Sequence, residues 1–399
     1  MSGWPEYDEE QIAEVVSVLR SGKVNAWTGP QVPDFEKQYA EYLGRNHTIA
    51  LANGSVTLDL ALKIIGLQNG DEVIVTPRSF IASASCVPLA GGVPVFADID
   101  RDSQNLTAET IAEKITPKTK AVIVVHLAGW PCDMEPICSL ARKHGIVVIE
   151  DCAQAHGAFY KGKPVGSFGD IASFSFCQDK IMTTGGEGGL LAMDDETLWK
   201  AAWSFKDHGK SFDTVFRKKH PPGFRWLHED FGTNWRMTGM QAALGSVQLA
   251  RLPAWRERRR NNAQILVDAC VQLPALRTPL PDNDSKHAWY RFYTFVRPDQ
   301  LKEDWDRDRI MREVSALGVG CYVGSCSEVY LEQAFVKNGM CPPERLKYAQ
   351  ELGETSLAFL VDPSQDTAAM NRVAEALRTV VGSATRQTDL SANTPAAAE

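Results

Sequence analysis

Between Thr48 and Met193 the chain alternates short apolar runs with amphipathic segments. No other feature restricts the fold as much. Residues 72–76 (EVIVT), 94–97, 121–125 and 146–150 are short, rich in Val and Ile, and bounded by turn residues. That is the pattern of strands buried within a domain. Residues 56–65, 111–115 and 134–144 lie between them as helical segments, and Asn53-Gly54-Ser55 stands before the first as a helix start does. Strand–helix alternation dictates an α/β fold, with a largely parallel sheet and helices on both faces. A ligand of such a sheet sits beyond the carboxyl ends of its strands.

The rest of the chain divides around this unit. Residues 1–29 are expected to form an N-terminal arm carrying one helix (9–19). Residues 30–252 form the large domain, which ends in a long helix (239–252). At Pro253 the pattern changes to a helix (254–273), a Pro-rich loop (274–281) and mixed strand and helix, so 253–382 is expected to be a smaller C-terminal α/β domain. From 383 to 399 the tail is Ser, Thr, Ala and Pro without apolar period, which predicts disorder. The basic run Arg256 to Arg260 predicts a solvated helix face.

Composition narrows the setting. The 399 residues are 44% hydrophobic, enough for a sizeable core. No run reaches the roughly 18 apolar residues of a membrane span. The acidic N-terminus has no apolar signal region, so a secretory signal is not expected. Nine cysteines without a CxxC pair predict unpaired thiols in a reducing compartment, hence a cytoplasmic protein. A net charge of −8 argues against nucleic acid as a partner.

The chemistry concentrates in residues 147–189. VVIEDCAQAHG places Asp151 directly after an apolar run. A carboxylate at the end of a buried strand is costly unless a cation pairs with it. A protonated pyridine nitrogen is such a cation, and keeping it charged makes the ring an electron sink. Capping the next turn is the other use of that carboxylate. In SFSFCQDKIMTTGGEGG a short strand (173–176) is followed by Lys180 in a turn, with Gly185, Gly186, Gly188 and Gly189 around Glu187. Glycines allow a ligand close to the backbone. A partly desolvated lysine near other cations is expected to have a depressed pKa and to act as a nucleophilic amine. A surface-loop lysine has the same local sequence. Asn53-Gly54-Ser55 can bind a phosphate on helix-start amides or serve only as a cap, and Ser173 and Ser175 would add hydroxyls to the same anion.

In order and spacing, these segments resemble the DegT/DnrJ/EryC1/StrS sugar aminotransferases, within the fold type I pyridoxal-phosphate (PLP) enzymes. The resemblance runs from about Trp4 to about Pro363. It is carried by WTG (27–29), NGS (53–55), GDEVIVTPRSFIAS, EDCAQAHGA, SFSF followed by Lys180 and GEGG, DHG (207–209) and GTNWRMTGMQAALG (232–245). It implies a large cofactor domain with a mostly parallel sheet between helix layers, and a smaller C-terminal α/β domain. It implies that Lys180 forms the internal aldimine and shuttles a proton, that Asp151 pairs with the pyridinium, and that Gln154 bonds the phenolic oxygen. Phe80 would stack on the ring, and Gly54, Ser55 and Ser175 would hold the phosphate. Asn234 would reach the phosphate from the partner subunit, making a homodimer with shared active sites. Arg236 is either a structural ion pair or a ligand contact. Trp27, Arg78, His126 and His287 are candidate substrate-side residues.

The implied reaction moves an amino group from glutamate, through pyridoxamine phosphate, to a ketone on a nucleotide-linked sugar. The chain departs from the family pattern in three places, the last of which bears on the substrate. Ser55 stands where threonine is usual, Gln178-Asp179 is an uncommon pair before the lysine, and 324–328 (GSCSE) replaces a His-Tyr-x-Pro type segment. The last is similar to the branch that makes 4-amino sugars on UDP-linked 2-acetamido-6-deoxyhexoses. GDP-linked 4-keto sugars, 3-keto sugars and aminocyclitol ketones are the alternatives on the same chemistry. The related sugar dehydratases lack the lysine, which is present here. A non-catalytic PLP-binding protein would not need Lys180, Asp151, Gln154 and Asn234 together.

Overall fold

The computed structural model describes residues 3–386. Its main sheet has seven strands: β1 (His47–Leu51), β2 (Glu72–Val75), β3 (Val93–Phe96), β4 (Thr119–Val125), β5 (Val147–Asp151), β6 (Ile171–Ser175) and β7 (Gly189–Met193). Their spatial order is β1-β7-β6-β5-β4-β2-β3. Pairing is parallel from β3 through β6, and β7 runs against both of its neighbours. The four runs expected as strands are all present, with ends displaced by one or two residues.

Alternate residues of each strand enter opposite cores. Val73, Val75 and Ile123 pack with the helices Gly54–Ile64 and Ala82–Leu89 on one face. Ile74, Val122 and Val124 pack with Met134–His144 on the other. Both faces are covered, which is why the strands read as apolar runs rather than as alternating patterns. Register then aligns the strand ends. Val125 lies beside Asp151, and Asp151 beside Ser173. Leu51 pairs with Gly189, so Asn53 leaves β1 at the same edge. The carboxyl edge thereby gathers residues from five separate stretches of chain.

A second, three-stranded antiparallel sheet (Leu276–Arg277, Phe292–Val296, Ser356–Phe359) follows. With the helix Thr367–Ala384 it forms a separate core that includes Leu266, Phe292 and Leu377.

Three expectations change. The helix Gly239–Cys270 runs unbroken through Pro253, so the boundary expected at 252/253 falls inside a helix. A proline there costs about 3 kcal/mol; burial of Leu252 on one side and Ala263 and Leu266 on the other outweighs it. The basic run is not wholly solvated. Arg259 is 1% exposed, lies over the Trp4 ring at 5.2 Å and donates to the Trp289 carbonyl. Order also extends past the expected start of the tail: Ser383 and Ala384 end the last helix, and Thr385 bridges Leu301. The remainder of that tail, 387–399, lies outside the described residues. Among the described residues no helix is long and apolar enough to cross a membrane.

Candidate active site

Asp151 ends β5 and is 4% exposed. Its oxygens accept from the Ser83 hydroxyl (2.8 Å) and the Ala153 amide (3.1 Å), both neutral donors. Burial pushes its pKa up, and Ser83 and Ala153 only partly oppose this. The carboxylate therefore favours a cationic ligand. One turn further, Gln154 accepts from the Ala128 amide through Oε1 (2.9 Å). That bond fixes the side chain and leaves its NH2 group to donate into the cavity, which Gln154 lines.

Across the edge, the helix Gly54–Ile64 begins under Asn53, whose side chain accepts from the Ser55 and Val56 amides. The capping use of this motif is thus realised. Gly54 also has a steric role: a Cβ there would lie 2.4 Å from Ser175 Cβ and 2.7 Å from its hydroxyl. Only glycine lets β6 end against the helix start, and the two form a notch of amide and hydroxyl beside the exposed Ser55. Ser173 does not contribute, because its hydroxyl is tied to Thr57 inside the helix–sheet contact. His156 braces the notch from behind. Its Nε2 donates to the Ser175 carbonyl and its Nδ1 accepts from Tyr39, both at 2.8 Å. Burial pushes its pKa down to about 4.

Lys180 lies on the wall of a cavity of about 700 Å³. Its amine is 3.2 Å from Asp179 and 5.3 Å from the centre of the Tyr290 ring. Burial lowers the amine's pKa, but Tyr290 and Asp179 outweigh burial and hold it above the ordinary lysine value. The expected depression is therefore reversed, because the nearest charge is a carboxylate rather than a cation. Trp4 of the N-terminal arm donates to the Lys180 carbonyl (2.9 Å). The opposite wall comes from the C-terminal half. Gly324, at φ 84°, closes onto Tyr293, whose hydroxyl accepts from the Ser325 amide (2.8 Å). Cys326 accepts from the Ser79 amide, tying that wall to the loop of Phe80. Phe80 is 65% exposed at the cavity, so ordinary core packing does not explain it.

Several expected site residues lie elsewhere. Arg78 is fully buried behind the wall, donating to Gln104 and 5.5 Å from the Tyr293 ring. His126 is turned under the sheet edge, between the Glu150 carboxylate (3.1 Å) and the Cys132 amide (2.9 Å). That carboxylate also accepts three loop amides; burial raises its pKa, yet His126 and those amides hold it below the usual range. His287 is neither at the surface nor in the cavity. It stacks on Trp289 at 4.1 Å, and burial pushes its pKa down to about 3. Trp27, Lys210 and Arg236 all reach one carboxylate, Asp207, at 3.3, 3.0 and 2.8 Å. The ion-pair reading of Arg236 is the one realised. Exposed Asn234 is bridged to Asp207 and is away from the cavity of its own chain.

The sequence reading missed Asp179, Tyr290, Arg291 and Tyr293. The cluster HAWYRFY (287–293), polar and aromatic at the start of a strand, was the available signal. The residues at the strand edge fit PLP: a buried carboxylate hydrogen-bonded only by neutral donors, a pinned amide and a lysine on the wall of one cavity, and a glycine–serine notch at the same edge of the sheet. Arg78, His126 and His287 are not part of that set.

A mostly parallel sheet with a lysine-bearing cavity at its carboxyl edge is the architecture of an α/β enzyme with its site beyond the strand ends. The structure superposes on the X-ray structure of an aminotransferase from Psychrobacter cryohalolentis with a TM-score of 0.94 and 51% identity, covering 96% of this chain and 99% of that one. The chain belongs to the DegT/DnrJ/EryC1/StrS aminotransferase family, whose model matches residues 5–378. It is 34% identical over 380 residues to spore coat polysaccharide biosynthesis protein SpsC of Bacillus subtilis, covering 94% of this chain and 96% of that protein. It is 41% identical over 237 residues to GDP-perosamine synthase of Escherichia coli O157:H7, covering 59% of this chain and 62% of the relative.

Proposed function

We propose that the protein transfers an amino group from glutamate to the C4 keto carbon of a nucleotide-linked deoxysugar, UDP-2-acetamido-4-keto-2,6-dideoxyhexose, using PLP bound at Lys180. The observation that carries this reading is the convergence of Lys180, Asp151, Gln154 and the Gly54–Ser175 notch on one strand edge. Gly324, Ser325 and Cys326 of the segment 324–328 line the cavity, and the departure of that segment from the His-Tyr-x-Pro type favours the UDP-linked sugar. The likeness to GDP-perosamine synthase favours a GDP-linked 4-keto sugar as the second reading. All nine cysteines are unpaired, which supports a cytoplasmic setting.

Bound here, PLP supplies an electrophilic carbonyl and an electron-withdrawing ring. The chain's residues do the rest. Asp151 keeps the ring nitrogen protonated, since a carboxylate desolvated in this way gains most from a cation. The Gln154 NH2 group would donate to the ring oxygen, and the Gly54 amide and the Ser55 and Ser175 hydroxyls would hold the phosphate. Phe80 covers one ring face. With PLP bound, Lys180 would be the residue that takes and returns the proton, at its Nζ. The nucleotide supplies binding energy remote from the reacting carbon and so orients it. A homodimer completes the site when Asn234 of one subunit meets the phosphate of the other. Within each subunit, the part built on the seven-stranded sheet acts as the cofactor domain and the part built on the three-stranded sheet as the smaller domain that walls the cavity, with the helix Gly239–Cys270 running between them.

Absorbance of the purified protein with PLP, before and after glutamate, tests the first half. Wild type should show a visible band that glutamate bleaches, and Lys180→Ala should lack it. The bleached enzyme should then aminate the UDP-linked ketone and recover the band. A band indifferent to glutamate would sink the reading, and turnover of the GDP-linked ketone alone would select the second.

A further inference from the structure

Lys180 and its chain neighbour Asp179 are also partners in space. Consecutive side chains usually diverge, but the turn after β6 lays both on one cavity wall, with Nζ 3.2 Å from Oδ1. The other carboxylate oxygen is held from the far side. Tyr290 donates its hydroxyl to Oδ2, and Arg291 lies 4.0 Å from the same atom. The Tyr290 ring is flanked by two cations, Lys180 at 5.3 Å and the Arg291 guanidinium at 4.9 Å from its centre. Asp179 is thus clamped by residues that lead into the strand Phe292–Val296, and it turns its free side to the amine.

This arrangement is at odds with a lysine that only attacks. An ammonium is not a nucleophile, and a carboxylate at this distance favours the ammonium. The other titratable groups that act on the amine or its partner are Cys177, Tyr290, Arg291, Asp151 and His156. Asp151 is engaged by Ser83 and Ala153, and His156 by Tyr39 and Ser175. Asp179 is the carboxylate within ion-pair distance of the amine. The shifts of the two partners agree: burial raises the Asp179 pKa, but Lys180 and Tyr290 outweigh it and hold it below the usual range.

We propose that Asp179 is a positioning residue for Lys180: clamped by Tyr290 and Arg291, it docks the free amine at the cavity wall as an ammonium, loaded for proton donation, and releases it when the lysine engages the cofactor. Release is tolerated because the Asp179 side chain is half exposed and Arg291 remains beside it, so the carboxylate is left both solvated and near a cation. The proposal rests on the reading of Lys180 as the cofactor lysine.

The test uses the full-length protein freed of cofactor. Lys180 is acylated with acetic anhydride across a pH series and its labelling read by mass spectrometry. In parallel, the rate at which the visible band appears on adding PLP is followed. In Asp179→Asn, Lys180 should label roughly tenfold faster at neutral pH than in wild type, with the whole profile displaced to lower pH. Band formation should accelerate at the same pH. Tyr290→Phe should shift both in the same direction by less, and Asp179→Glu should return the profile toward wild type. A profile unmoved in Asp179→Asn, or labelling slowed by one factor at every pH, overturns the proposal. If Asp179→Asn does not fold, Tyr290→Phe alone decides. A displaced labelling profile in a protein that never shows the visible band would support the ion pair and instead reject the cofactor role of Lys180.

Discussion

The strand edge around Asp151 and the outer segment around Asp207 both organise functional side chains about a buried aspartate, but they do it in opposite ways. Asp151 is 4% exposed and meets only neutral donors. Asp207 is 1% exposed and collects Lys210, Arg236 and the Trp27 indole. The first is a charge left short of a cation inside one chain. The second is satisfied, and its function is to hold neighbours in place. The segment bridged to this cluster at Lys210–His228 is open to solvent: Phe224, Trp226 and Phe231 are 79%, 81% and 94% exposed. An under-paired charge marks the place where a ligand completes the structure. A paired one at the base of an exposed aromatic segment marks a scaffold that presents residues to something outside the chain.

The comparison breaks most severely at Asp151. Asp151→Asn should lower turnover by about 10²–10³-fold, the loss usual when a charge aimed at the reacting system is removed. In the cofactor-free protein the same change should stabilise the fold by about 1 kcal/mol, as relief of a strained functional site does. The raised pKa means that ionised Asp151 costs stability above the carboxylate range. Urea midpoints at neutral and mildly acidic pH check the sign, and the gain should vanish as the pH falls. If Asp151→Asn destabilises the cofactor-free protein at neutral pH, the contrast with Asp207 is lost.

At the other aspartate the expectation inverts. Asp207→Ala should cost about 3 kcal/mol of stability, because it leaves Lys210 and Arg236, both largely covered, without their shared carboxylate. Denaturant melts of this variant beside Asp151→Asn give the comparison directly. Asn234→Ala should be milder, weakening PLP affinity about tenfold, or about 1.4 kcal/mol. Mixing it with Lys180→Ala should restore activity, since one site of the mixed dimer then has both residues. No restoration would remove Asn234 from the shared site. A last effect, absent at neutral pH, concerns His156. With its folded pKa near 4 against an ordinary 6.5, its contribution is complete above about 6.5 and is withdrawn as the pH falls toward 4. Stability should then decline by at most about 1.4 kcal/mol per pH unit for that proton. His156→Asn should flatten the decline between pH 6.5 and 4, measured by thermal melts; His287 adds its own slope in the same direction.

What was legible in the sequence follows the range of the interactions. The four strands stood out because they are largely buried on both faces, with Val93 of the edge strand β3 the exposed exception among them, so apolar runs alone report them. The helix Met134–His144 was legible because its buried positions recur on one face. The continuity of Gly239–Cys270 was hidden, since a proline weakens a helix locally while the packing that preserves it comes from distant segments. Among site residues, Lys180, Gln154 and Phe80 line the cavity as expected, with Asp151 beside them at the end of β5. His126 looked equally well placed at a strand end but turns inward, because Glu150 needs its hydrogen bond.

The sequence by itself determined the α/β class, the family and the residues at the carboxyl edge of the sheet, because periodicity and the order of motifs are properties of neighbours along the chain. Only the tertiary structure decided how those residues are charged and which way they point. Lys180 near glycines reads as a desolvated amine; folded, it meets Asp179 steadied by Tyr290, which lies 111 positions away. Coulomb interaction and desolvation depend on distance through space, and the chain brings those groups together only when its two halves close on one cavity.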